Sequence, residues 1–300
     1  MKNKIETSDL LTLQKIFAFL LTVMLFALFI NKPLYFFLTA LTLGYSHYFL
    51  GALYKFMSKG ISSYKPILLL VLGLVIYLYC SNGDASAIKN QTLTLIVTLY
   101  AIFHVVTDDQ FTGNFFKSKY SRAQVVGCVA LISLLSALQI SWQFVSPLVP
   151  LLALIGFVTG CIYFYDVSKE GFKLSNYWVL FQIFGVLIVL ASRVRFTLGI
   201  GMVIYFIGIY HILLFYMAYF TKIASFEKPK NYLHSKKGYI TVVIAANSAI
   251  LLIYAIYRTF NIDSISFFFS YNFFLIVNLL HFISSTRYYE IKGYIKEHKI

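Results

Sequence analysis

Four histidines, His47, His104, His211 and His281, lie inside or at the ends of apolar runs long enough to cross a bilayer. Ionisable side chains are costly in hydrocarbon and normally turn into the helix bundle, where a partner offsets their desolvation. One such histidine is explained equally well by a helix–helix hydrogen bond. Four at similar depth predict a shared centre, and neutral imidazole is a natural ligand for iron, zinc or copper. The expected metal ligands are therefore His47, His104, His211 and His281.

The neighbouring residues extend that expectation. His104 and Asp108 are separated by four positions, which places them on one helical face. Asp108 could take a proton from an imidazole or act as a carboxylate ligand, whereas Asp109 points elsewhere and reads as a helix-ending residue. Gly44 and Gly51 flank His47 on its own face, and Gly208 stands three residues before His211, as if to admit close neighbours. Asn278 precedes His281 by three and is placed to orient it, as outer-shell groups orient imidazoles at metal centres. Tyr48 and Tyr210 each adjoin a histidine, and with Asp108 they are the candidate catalytic side chains.

The chemistry this predicts is oxidative. A non-haem Fe(2+) with an open coordination position could activate dioxygen while an apolar substrate, a carotenoid or other long-chain lipid, enters from the bilayer. Zinc is disfavoured because it has no redox function. Two alternatives use the same residues. Haem held by two of the histidines would point to electron transfer, another transition metal could stand in place of iron, and a relay of histidines with Asp108 would point to a proton-coupled transporter. A bundle whose histidines only pack helices is the remaining reading.

The elements that must position these groups are transmembrane helices. Of the 300 residues, 60% are hydrophobic and 12% charged, about half the charge of an ordinary soluble domain. Apolar runs near 10–30, 34–56, 64–80, 92–109, 123–143, 147–166, 175–192, 196–221, 239–258 and 264–285 predict about ten spans in an all-α polytopic bundle. Residues 1–300 read as a single integral-membrane domain. The first run is long for a signal peptide and lacks a small-residue cleavage pattern, so it is expected to stay attached.

Charge orients the spans. Twenty basic residues fall in the termini and the loops on their side, and five fall on the other. That bias puts both termini in the cytoplasm. All four histidines then lie on even-numbered spans, in the cytoplasmic half, in what reads as a bacterial cytoplasmic (inner) membrane protein. The net charge of +14 is spread in short interhelical clusters, which suits membrane lipid and not a nucleic-acid backbone.

Other polar residues carry less. Asp166, at the end of the sixth run, could approach the histidines or serve as a terminal charge. Gln91, Gln139, Gln143 and Gln182 lie toward the opposite side and are poor site candidates. His234 and His298 fall in polar, basic segments and are expected to be exposed. Cys80, Cys128 and Cys161 form no CxxC and read as packing residues.

His104-Val105-Val106-Thr107-Asp108-Asp109 resembles the His…Asp-Asp stretch of the Brp/Blh-type carotene dioxygenases of bacteria and archaea. Those multispan enzymes cleave beta-carotene to retinal with iron held by histidines from several helices. The resemblance implies His47, His104 and His211 as iron ligands, with His281 placed less directly. The chain departs from the family's late pair of histidines one turn apart, because Phe215 follows His211 and Ser285 follows His281 at that spacing. The histidine boxes of membrane fatty-acid desaturases are absent, and no lysine lies deep in the last long helix to form a retinal Schiff base.

Overall fold

The computed structural model describes residues 7–59, 95–106, 122–143, 146–170, 183, 196–224 and 232–285. Among them the regular structure is entirely helical: α1 (Thr7–Phe29), α2 (Pro33–Lys59), α3 (Leu95–Val106), α4 (Arg122–Gln143), α5 (Leu148–Glu170), α6 (Phe196–Ala224), α7 (Lys236–Phe260) and α8 (Tyr271–Ser285). Short 3₁₀ turns cover Tyr232–His234 and Asp263–Phe269. Among the described residues four helical stretches, Thr12–Phe29, Leu34–Tyr54, Leu148–Lys169 and Lys236–Phe260, are long and apolar enough to cross a membrane. The chain is a helical integral membrane protein. The expected spans at 64–80 and 175–192 fall outside the described residues, apart from Ile183.

Local sequence sets the ends of these helices. Pro33 opens α2, where its missing N–H costs nothing and its fixed φ is already helical. Ser235 caps α7, its Oγ accepting from the Gly238 N–H at 3.0 Å. A Cβ at Gly238 would collide with the Tyr232 carbonyl oxygen, so this tight entry requires glycine. Asn261 ends α7 in the left-handed region at φ 49°, its N–H donating to Tyr257 O.

The last apolar run is not one continuous helix, as its hydropathy had predicted. It begins as the 3₁₀ stretch Asp263–Phe269, breaks at Ser270 (ψ 146°) and resumes as α8. Ser270 Oγ accepts from the Phe273 N–H at 3.3 Å, and so restarts the helix with its own cap. A run of similar apolar residues does not record a backbone break that one hydroxyl supports.

Apolar area alone does not hold helices together in lipid, so shape and polar contacts must. α1, α2 and α6 meet through Phe26, which packs edge-to-face on Phe36 (centroids 5.5 Å) and on Phe206 (6.1 Å). Gln14 Nε2 donates to Thr221 Oγ1 at 2.5 Å and ties α1 to α6. α4 and α5 form a close hairpin, in which a Cβ at Gly156 would stand 2.7 Å from Leu134 Cγ. At the hairpin's far end, from the turn between them, Arg122 Nε lies 3.2 Å from Asp166 Oδ2.

α7 exposes most of its length, including Ile244, Leu252 and Phe260. It is anchored mainly by a polar network and a group of rings. Ser46 Oγ on α2 lies 2.6 Å from Tyr216 OH on α6 and donates to Asn247 Oδ1 on α7 at 2.9 Å. Tyr216 also reaches the Leu43 carbonyl at 3.2 Å. Toward the start of α7, Tyr239 packs among Tyr54, Tyr219 and Phe220. The ring of His234, expected to be exposed, is partly covered by Tyr54 at a centroid distance of 5.8 Å.

Candidate functional site: an imidazole-capped intramembrane cavity

α2, α3, α6 and α8 bring the four histidines together. His47 Nε2 and His281 Nε2 stand 3.1 Å apart, in hydrogen-bond contact. His211 meets His47 with ring centroids 5.7 Å apart, and His104 lies 5.3 Å from His211 and 5.6 Å from His281. His47, His104 and His211 are buried, and His281 is partly so. Convergence of the imidazoles at one level is thus a feature of the structure.

Their arrangement is not that of a metal centre. Among the described residues, no group of three or more His, Cys, Asp or Glu side chains is disposed to hold a metal ion. The neighbouring rings meet edge-to-face, at interplanar angles of 70–86°. The nitrogens of His47 and His281 face each other directly, which leaves no space for a porphyrin plane between them. The predicted Fe(2+) centre is therefore corrected, and haem or another transition metal with it. The oxidoreductase and dioxygenase expectation fails on the same ground, and dioxygen loses the iron at which it was to react. Asp108, expected as catalytic or as a relay partner, lies outside the described residues, as do Asp109 and His298.

Asn278 takes a different part from the one expected, and the two tyrosines sit unequally about the adjoining cavity. Asn278 does not orient His281 directly. Its Oδ1 accepts from Tyr48 OH, and its Nδ2 donates to the Phe274 carbonyl at 2.7 Å. Tyr48 in turn lays its ring on His281, with centroids 4.3 Å apart and planes tilted by 30°. The orienting element for His281 is thus a phenol held by an asparagine. Tyr210 belongs to the main apolar cluster on α6 and is not among the residues lining the cavity beside the histidines. Asp166 is bound up with Arg122. Cys128 donates to the Val106 carbonyl at 3.6 Å from a buried position, as a packing thiol would, and Cys161 is exposed.

Beside the histidines is a cavity of about 80 Å³. Its apolar walls come from α3 (Val97, Ala101, Val105), α4 (Leu135, Leu138), α6 (Ile207, Ile212) and α8 (Phe274). One end is bounded by His47, His211 and His281 with Tyr48 and Asn278. His47 Nδ1 is buried and has no hydrogen-bond partner. Space of this size holds about half a dozen water-sized groups, which suits a short chain or small ring and not a whole carotenoid. The glycines behave unequally around it. A Cβ at Gly44 would stand 3.0 Å from the Phe274 ring, whereas Gly51 and Gly208 face open space. Gly208 lines the cavity, so its missing side chain leaves room for an occupant and does not admit a neighbouring helix.

Gln139 is the residue that hydropathy reading passed over. It lies on the cavity wall, is only 3% exposed, and its Nε2 has no hydrogen-bond partner. A signal was present in the sequence. Gln139 stands four, eight and eleven residues after Leu135, Leu131 and Cys128, so it continues their buried helical stripe. No family model, curated protein or solved structure matches the chain.

Proposed function

We propose that the protein binds a small apolar molecule carrying an oxygen function, and that it holds that oxygen at the imidazole end of the cavity. The observation that carries this reading is a largely apolar cavity lined in part by His47, whose Nδ1 is buried without a partner. Buried polar groups are normally satisfied, and an exception calls for an explanation. Ligand sites typically combine apolar walls with a few placed polar groups. With both termini in the cytoplasm, as the charge bias favours, the imidazole end lies in the inner half of a bacterial cytoplasmic membrane. Occupants would then enter from lipid, either as free short-chain molecules or as the oxygenated end of a longer lipid. The Brp/Blh resemblance bears on this only as a proposed kinship in ligand class.

The test is binding of 1-octanol to the full chain in lipid nanodiscs, followed by NMR and referenced to the alcohol concentration in protein-free discs. The expected result is one saturable site, weakened about ten-fold or more in His47→Phe, because that substitution keeps the ring shape and removes both nitrogens. Absence of a saturable component above protein-free discs would overturn the proposal.

A further inference from the structure

We infer that the cavity recognises its occupant at two points, with the Gln139 amide as the second, so that the ligand class is an elongated apolar molecule with an oxygen toward each end. The inference rests on the binding function just proposed and extends it to the shape and chemistry of the ligand.

The relative heights of the two polar points follow from helix register. The Cys128 thiol meets the Val106 carbonyl, so these residues share a level on α4 and α3. Leu135, Leu138 and Gln139 share the cavity with Val97, Ala101 and Val105, so the two helices run antiparallel. Gln139 stands 11 residues beyond Cys128, about 16 Å at the helical rise, and His104 two residues beyond Val106, about 3 Å in the same direction. Gln139 is therefore displaced from the histidine level by about 13 Å along the bundle.

Helical side chains lean toward their own N-terminus. Gln139 on α4 thus leans toward the histidines, while His47 and His281, on helices of opposite sense, lean toward Gln139. The two polar points face each other across walls that are apolar apart from Thr98 on α3, at a separation of about 10 Å, allowing for that lean.

The chemistry at each end differs. Nε2 of Gln139 can only donate, so its partner is an acceptor: a carbonyl, ether or hydroxyl oxygen. An imidazole nitrogen donates or accepts according to tautomer, so the other end accepts a hydroxyl or a carbonyl. A molecule with one oxygen leaves one point unsatisfied. A site built around buried donors discriminates strongly against an analogue that cannot meet them.

The test compares 1-alkanols with α,ω-alkanediols of equal chain length, from four to ten carbons, in the same nanodiscs and on the same membrane-concentration scale. The expected result is a diol advantage that peaks at one length within the series and reaches about ten-fold. Gln139→Leu, which keeps the volume and removes the amide, should bring the diol-to-alkanol affinity ratio down to about one at every length, whatever it does to 1-octanol affinity itself. The length profile of the unaltered protein needs no variant and stands even if Gln139→Leu does not fold. Saturable 1-octanol binding with no diol advantage at any length overturns the two-point inference and leaves the binding function intact. Equal loss of alcohol and diol affinity in Gln139→Leu also overturns it. Failure of every alcohol to bind removes the binding function, and the inference with it.

Discussion

His47 Nε2 and His281 Nε2 lie 3.1 Å apart, so one ring must supply the proton that the other accepts. Neutral rings then hold complementary tautomers, and whether His47 Nε2 donates or accepts in this contact fixes whether its buried Nδ1 carries a lone pair or a proton. Replacing His281 by Phe should leave His47 Nε2 buried without its partner. The expected loss is about 1–2 kcal/mol of stability, read as a lower unfolding temperature in detergent, with weaker 1-octanol binding. His281→Gln, which can still bond to Nε2, should recover part of both. Equal behaviour of the two variants would show that the contact does not orient His47.

Gly208 offers a way to close the cavity from its wall. A side chain there meets open space at its Cβ, so Gly208→Leu should fold at least as well as the parent, helped by lower backbone entropy in the unfolded chain. Its branched end would occupy the space that a ligand needs. Affinity for 1-octanol should fall about ten-fold or more, with the melting profile unchanged or raised. Unaltered affinity would place the alcohol elsewhere.

Ser46 should matter for assembly and not for binding. Its hydroxyl joins Tyr216 and Asn247, the polar tie between α2, α6 and the largely exposed α7. Ser46→Ala is expected to cost about 1–2 kcal/mol, at the upper end for intramembrane hydrogen bonds. The double variant Ser46→Ala/Asn247→Leu should cost less than the sum of its parts, since both remove the same contact. Unfolding in mixed micelles measures both quantities, and octanol binding should stay within two-fold.

Gly156 tests the α4–α5 hairpin. A Cβ would stand 2.7 Å from Leu134 Cγ and 3.2 Å from the Leu134 backbone nitrogen. Gly156→Val forces the helices apart at a place where the backbone itself lies close. Overpacking of this kind costs about 1–3 kcal/mol. Leu134→Ala should relieve part of it, which a thermal shift series would show.

Much of this architecture is legible in the chain. The apolar runs locate α1, α2, α4, α5, α6 and α7, since length and hydropathy leave few other outcomes for such segments. The meeting of His47, His104, His211 and His281 is also foreshadowed by their similar depth in the apolar runs. What hydropathy does not carry is direction. Whether imidazole nitrogens converge on a point or pack edge-to-face depends on helix rotations of a few tens of degrees, which no spacing records. Asn278 lies beside the histidines, as its spacing from His281 predicts, but serves Tyr48, for the same reason. Gln139 looked peripheral when judged by depth alone, although its helical phase with Leu131 and Leu135 marks it as inward-facing. The break at Ser270 escaped because its flanking residues are as apolar as a helix.

That break bears on how the histidine end of the proposed site meets membranes of different thickness. In the 3₁₀ stretch before it, Tyr45 OH donates to the Phe268 carbonyl at 2.7 Å. α2 is thereby joined to the last crossing on both sides of Ser270: by Tyr45 before the joint, and by Tyr48 and His47 after it. A thinner or thicker bilayer would tilt these two elements together as one body. The distance between their imidazoles would then not change, which keeps the histidine cluster insulated from the lipid composition around it.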